Sequence, residues 1–257
     1  MRIKSIFNKR NYIHLYHKYK AYPNSVNCFS FNHELDCYKG LLESVQINKF
    51  EKVIAIASGP SSKKVILNDK NLYFCCNNSI QLLKESGCYY LYTLSDDYYV
   101  WKYLKTFEKD NYWLSTIFYF YLSKSTIKKR NLIATYLENY SRGKPEVLVT
   151  NDTKDLNSNR IYSDIQSVFE KWNYKHFGVN SGFNNLVLAA VAAHFLDLPL
   201  ISYGLDMGIG GEEYFDHKTK LGHSIKGDFS KRKVYEFISI VDKEIDFENF
   251  SNFKLKK

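Results

Sequence analysis

The feature that most constrains the fold is Val53-Ile54-Ala55-Ile56-Ala57, which runs directly into Ser58-Gly59-Pro60-Ser61-Ser62. A continuous apolar run that stops at a glycine turn fits a strand buried on both faces, as in a parallel α/β sheet, rather than the alternating strand of a half-exposed one. The pattern recurs. Leu72-Tyr73-Phe74-Cys75-Cys76 ends at Asn77-Asn78-Ser79, and Tyr89 to Leu94 ends at Ser95-Asp96-Asp97. Ligands of open α/β sheets bind beyond the carboxyl ends of strands, so three such ends in succession predict a site there.

Further along, residues 98–145 alternate aromatic and basic segments and predict helices with one intervening strand. Glu146-Val147-Leu148-Val149 predicts another strand, and a helix follows over about Ile161 to Trp172. The clearest later unit is Asn180-Ser181-Gly182-Phe183, then Asn184 to Leu196, then Leu200-Ile201-Ser202-Tyr203 ending at Gly204-Leu205-Asp206. Ser181 or Asn180 can cap this helix. The helix is apolar on nearly every face, so it is expected to be buried. A last helix is expected near Lys231 to Asp242. The fold class is therefore α/β, a single Rossmann-like domain with a mainly parallel sheet over residues 51–257. Residues 1–50, basic and aromatic, read as a helical N-terminal extension packed outside it, with Leu41 to Ile47 as its last helix.

Composition narrows the function less. The 257 residues are 45% hydrophobic and 25% charged, which excludes a disordered tail or a fibre and allows a sizeable core. Lys+Arg exceed Asp+Glu by 36 − 27 = 9, a balance that favours anionic partners without choosing among them. The five cysteines, Cys28, Cys37, Cys75, Cys76 and Cys88, form no CxxC pair and predict neither a disulfide framework nor a zinc knuckle. A reducing cytoplasm is the expected location. The start MRIKSIFNKR lacks an apolar core for a signal peptide, and Leu186 to Leu200 is too short and too polar at its end to span a bilayer.

Each strand-end motif has a bland reading beside its chemical one. Ser58-Gly59-Pro60-Ser61 can cradle a phosphate on backbone amides or be a plain turn. The helix start at Ser181 and Gly182 can bind an anion or simply be capped. Asn77 can contact a phosphate or base, or be an ordinary turn asparagine. Ser95 and Asp96 are candidate ligand contacts at the third strand end. Asp96 and Asp97 point opposite ways along a strand, which argues against a shared metal. No metal site is expected from any His, Cys or Asp spacing. His223, in a Gly-His-Ser turn after a glycine-rich loop, suits a general base or is a surface histidine. His194 is expected to be a satisfied core residue.

The order of these motifs resembles the bacterial CMP-sialic acid-dependent sialyltransferases of the Campylobacter lipooligosaccharide type. The residues that carry the likeness are Val53-Ile54-Ala55 through Gly59-Pro60-Ser61, Cys76-Asn77, Ser181-Gly182, Gly204-Leu205-Asp206, Tyr214 with Asp216, and Gly222-His223-Ser224. They span about residues 52–240. The resemblance implies an inverting, metal-independent glycosyltransferase with a variant of the GT-A fold. Ser58, Gly59 and Asn77 would contact the cytidine nucleotide, and Ser181 and Gly182 the donor. Tyr214 would hydrogen-bond the leaving phosphate, and His223 would deprotonate the acceptor. The nucleotide sugar is a substrate, so no cofactor is implied. Met207-Gly208 stands where the family has a second tyrosine, and His176-Phe177-Gly178 where it has an arginine. These departures imply a related ulosonic acid such as Kdo, or a different acceptor. The expected partners are a CMP-linked sugar acid and a glycan or glycolipid of lipooligosaccharide, lipopolysaccharide or capsule. An anionic membrane face fits the charge, a homo-oligomer is allowed, and nucleic acid is not expected. Two further enzymatic readings share the Gly-Pro-Ser turn, a motility-associated nonulosonic acid transferase and a pterin-pyrophosphokinase-like enzyme. A non-catalytic nucleotide- or RNA-binding protein is the reading from another class.

Overall fold

The structure, a computed structural model, describes residues 38–39, 42, 49–83, 86–94, 116–120, 146–150, 160–175, 180–208, 215 and 228–253. The expected strands form: β1 (Lys52–Ile56), β2 (Asn71–Cys76), β3 (Tyr89–Leu94), β4 (Thr116–Phe120), β5 (Glu146–Thr150) and β6 (Leu200–Tyr203). A seventh, β7 (Phe247–Asn249), was not foreseen. Together they make one seven-stranded sheet in the order β5-β4-β3-β2-β1-β6-β7, and every neighbouring pair is parallel.

Three of the helices follow the expected positions, and the first was not foreseen. A short α1 (Ile80–Leu83) follows β2. Next come α2 (Arg160–Lys171), α3 (Ser181–Leu196) and α4 (Asp228–Glu244). All side chains of α3 from Phe183 to Ala193 are buried, as its apolarity on nearly every face required. It lies across β1 and β2 on the face carrying Val53, Ala55, Leu72, Phe74 and Leu91. On its outer side an aromatic cluster joins α2 and α4. Phe237 packs edge-on to Phe183 at 5.3 Å and tilted against Tyr174 at 5.0 Å. The opposite sheet face, with Ile54, Ile56, Tyr73, Cys75, Tyr90 and Tyr92, is buried as well.

Two side chains from the stretch read as an outer extension belong to this core. Tyr38 and Leu42 are fully buried, and Tyr38 Oη donates to Leu188 O of α3 at 2.6 Å. A domain boundary at residue 51 therefore leaves out part of the core that α3 needs. His194 also differs from expectation. It is half-exposed near the end of α3, edge-on to Trp172 at 5.4 Å and 3.4 Å from Lys171 Nζ. Among the described residues no helix is long and apolar enough to cross a membrane.

Candidate functional site

Strand order reverses between β1 and β6: the chain runs outward from β1 to β5 on one side, then resumes at β6 on the other. Such a reversal opens a crevice at the carboxyl ends of the two central strands. The turn after β1, the turn after β2, the loop after β6 and the start of α3 meet there. Ser58, Gly59, Pro60, Ser61, Asn77, Ser181, Gly182, Gly204 and Asp206 all lie on these four segments. Ser95, Asp96, Tyr214 and His223 lie outside the described residues, as do Asp216 and His176.

The strand ends are laced together by side chains distant in sequence. Ser58 Oγ donates to Cys76 O at 3.0 Å, and Ser79 Oγ donates to Ile56 O at 2.8 Å. These bonds tie β1 to β2. Between β1 and β6, Gly59 N donates to Gly204 O at 2.8 Å, and Gly204 N donates to Ser61 Oγ at 2.8 Å. Asp206, almost fully buried, accepts from Ser61 N at 2.8 Å and from Ser61 Oγ at 2.6 Å. Its Oδ1 also accepts from Asn252 N at 2.6 Å, which draws the segment after β7 into the same network.

This lacing reassigns several of the expected roles. Gly59 is glycine because a Cβ there would lie 2.5 Å from Asp206 Oδ2 and closer still to Gly204 O. The close approach it permits is to the protein itself. The Gly59 and Ser61 amides are engaged internally, the Ser62 amide donates to Gly59 O at 3.1 Å, and Pro60 has no N–H. Among the described residues that leaves the Ser58 amide as the turn's candidate donor to a ligand. Asp206 holds its carboxylate on protein donors, so its geometry is that of a clamp between strand ends. Gly204, at φ +77°, takes the left-handed conformation glycine favours, and its missing Cβ clears Ala57 O.

The α3 terminus keeps donors available. Asn180 is the cap: its Oδ1 accepts from Phe183 N at 2.8 Å, and its carbonyl from Asn184 N at 2.9 Å. The first amides of a helix lack intrahelical partners; the cap takes that of Phe183, and among the described residues those of Ser181 and Gly182 have no acceptor. Both residues are partly exposed. A Cβ on Gly182 would sit 3.1 Å from that of Ala57 and 3.4 Å from Leu205 Cδ1, which measures how tightly this end is seated on β1 and β6. The helix dipole adds partial positive charge at the same place. Met207, at φ +51°, and Gly208, at φ +78°, bend the chain away after Asp206. The Met207 sulfur accepts from Asn180 Nδ2 at 3.3 Å, so this residue braces the cap. Left-handed backbone at a non-glycine residue costs about 1 kcal/mol and is held here by its surroundings.

Asn77 opens the turn after β2 at φ +47°, a conformation asparagine tolerates. Its carbonyl accepts from Tyr92 Oη at 2.9 Å, and its side chain is partly exposed. Phe215 N donates to Ser58 O at 2.9 Å, which brings the chain between β6 and α4 back onto the β1 turn.

Some contributors were not foreseen. Asn185 Nδ2 reaches Phe74 O at 3.0 Å and Ile56 O at 3.4 Å from inside α3. A polar pair, Asn184-Asn185, in an otherwise apolar helix was the available signal, because buried amides need partners. Ser251 Oγ accepts from Leu205 N at 3.1 Å; nothing local in the sequence marks it. Cys75 and Cys76 are buried thiols, and burial pushes Cys76 up to about 12, so neither is a nucleophile at neutral pH. Among the described residues no cluster of His, Cys, Asp or Glu could hold a metal ion. Comparison with known protein families, with curated proteins and with solved structures returns no match to this chain.

Proposed function

We propose that the chain is a Rossmann-like, inverting, metal-independent glycosyltransferase that moves a keto sugar acid from its CMP-linked donor to a hydroxyl of a bacterial surface glycan. The donor is sialic acid or a related ulosonic acid such as Kdo. The observation that carries the reading is the seating of the α3 N-terminus at the strand-order reversal, with the Ser181 and Gly182 amides left by the cap. A phosphate at that position meets two N–H donors and the positive end of a helix. The Ser58 amide and Asn77 stand on the two adjacent turns, where the nucleoside would lie.

In the reaction the acceptor oxygen attacks the anomeric carbon as the bond to the CMP phosphate oxygen breaks, and CMP leaves with the bonding electrons. His223 takes the acceptor proton, and Tyr214 donates a hydrogen bond to the departing phosphate. Support for Tyr214 comes from its neighbour in sequence, Phe215, whose amide is bonded to Ser58 O. The excess of nine basic charges suits an anionic donor and an anionic inner membrane face.

The test is CMP release from CMP-sialic acid and from CMP-Kdo generated in place, with His223→Ala alongside. The reading expects release from one donor and its loss in the variant. Release from neither, with pooled glycan acceptors present, overturns it.

A further inference from the structure

The loop cluster at the end of β6 carries a second feature that the donor site does not use. Tyr203, the last residue of β6, and Phe250, the residue after β7, stack with ring centroids 5.2 Å apart and planes 11° apart. Phe250 is 41% exposed. Core packing does not account for it: Phe253, three residues on, is fully buried and stacks on Tyr235 at 4.2 Å.

The pair is firmly mounted. Phe250 N donates to Ser202 O at 2.9 Å, extending the β6–β7 ladder. Ser251 and Asn252 then bind Leu205 N and Asp206 Oδ1, so the backbone on both sides of the ring is fixed to the candidate site. Glu248 pairs in register with Ile201, two residues before Tyr203, and is exposed. That register puts Glu248 on the same sheet face as Tyr203, and its negative charge, after burial, helps to raise the Tyr203 phenol above its ordinary value.

From this geometry we infer that Tyr203, Phe250 and Glu248 form a platform for a neutral saccharide ring, the acceptor-side sugar of the proposed transferase. An aromatic face is electron-rich and attracts the slightly positive C–H face of a pyranose. A carboxylate on the same sheet face accepts hydrogen bonds from sugar hydroxyls. The same carboxylate repels a nucleotide or sugar acid, which separates this platform from the donor position at the α3 terminus. The identification of the sugar as an acceptor rests on the glycosyltransferase reading; the platform itself does not.

The test is saturation-transfer NMR on the full chain with methyl β-galactopyranoside, methyl β-glucopyranoside and lactose, run beside donor-only CMP release. Transfer to at least one sugar is expected. Phe250→Ala should weaken it about tenfold, Phe250→Tyr should preserve it, and Glu248→Gln should weaken it less. The thermal midpoint should change little in all three, because the Phe250 amide bond to Ser202 is a backbone bond. Donor-only CMP release should be unaltered. No transfer from any of the sugars, or equal transfer in wild type and Phe250→Ala, overturns the platform. Sugar binding that depends on Phe250 in a protein that releases no CMP would leave the platform standing and remove the transferase reading instead.

Discussion

Asp206→Ala tests the lacing of the strand ends most sharply. The carboxylate accepts three hydrogen bonds, from Ser61 N, Ser61 Oγ and Asn252 N, in a site almost closed to water. Truncation leaves three donors without their acceptor. Hydrogen bonds to a charged group contribute about 1.5–3 kcal/mol each. Water entering the vacated space offsets part of that, so the low end applies to each, and the expected loss is about 4.5 kcal/mol. For a chain of this size that corresponds to a fall of about 10 °C in Tm. Asp206→Asn should cost less, about 2 kcal/mol, because its Oδ1 keeps two donors while its Nδ2 meets Ser61 N–H. Urea unfolding followed by circular dichroism gives both values, with an unchanged m-value as the check on two-state behaviour. An Asp206→Ala protein within about 1 kcal/mol of wild type would refute the clamp and return Asp206 to the pool of candidate ligand contacts.

Gly59→Ala should destabilise by about 3 kcal/mol or fail to fold, since its methyl would overlap Gly204 O and the held Asp206 carboxylate; soluble yield and Tm decide it. Thr93→Val should stabilise by about 1 kcal/mol, because Thr93 Oγ1 is buried with no partner among the described residues and valine has the same shape; urea midpoints measure it. His194 is held below its ordinary value by burial and then by the Lys171 charge. The unfolded chain therefore binds the proton first, and stability should fall as pH drops through about 6.5. His194→Gln should flatten that part of the stability–pH curve.

The parallel sheet was legible because buried strands leave continuous apolar runs, and VIAIA, LYFCC and LISY each end at small polar residues. The helix α3 was legible for the same reason. Its apolarity on all sides admits only a buried position, and its cap is the asparagine that precedes the first turn. What escaped depends on contacts made across long sequence distances. The Ser61 bonds to Asp206 join residues 145 positions apart, so the motif alone cannot tell a ligand cradle from a strand clamp. The three residues of β7, Phe-Glu-Asn, are too few and too polar for a pattern. Tyr38 and Leu42 sit in a basic, aromatic stretch without a clean period, yet both fill the core against α3.

Amide hydrogen exchange in the presence and absence of CMP is the measurement that bears most directly on the central claim. CMP-dependent protection is expected at Ser181, Gly182 and Ser58, with the Gly59 and Ser61 amides, already bonded to Gly204 O and Asp206, slow to exchange in both states. Protection confined to other segments, or none at saturating CMP, would contradict a nucleotide site at the α3 terminus.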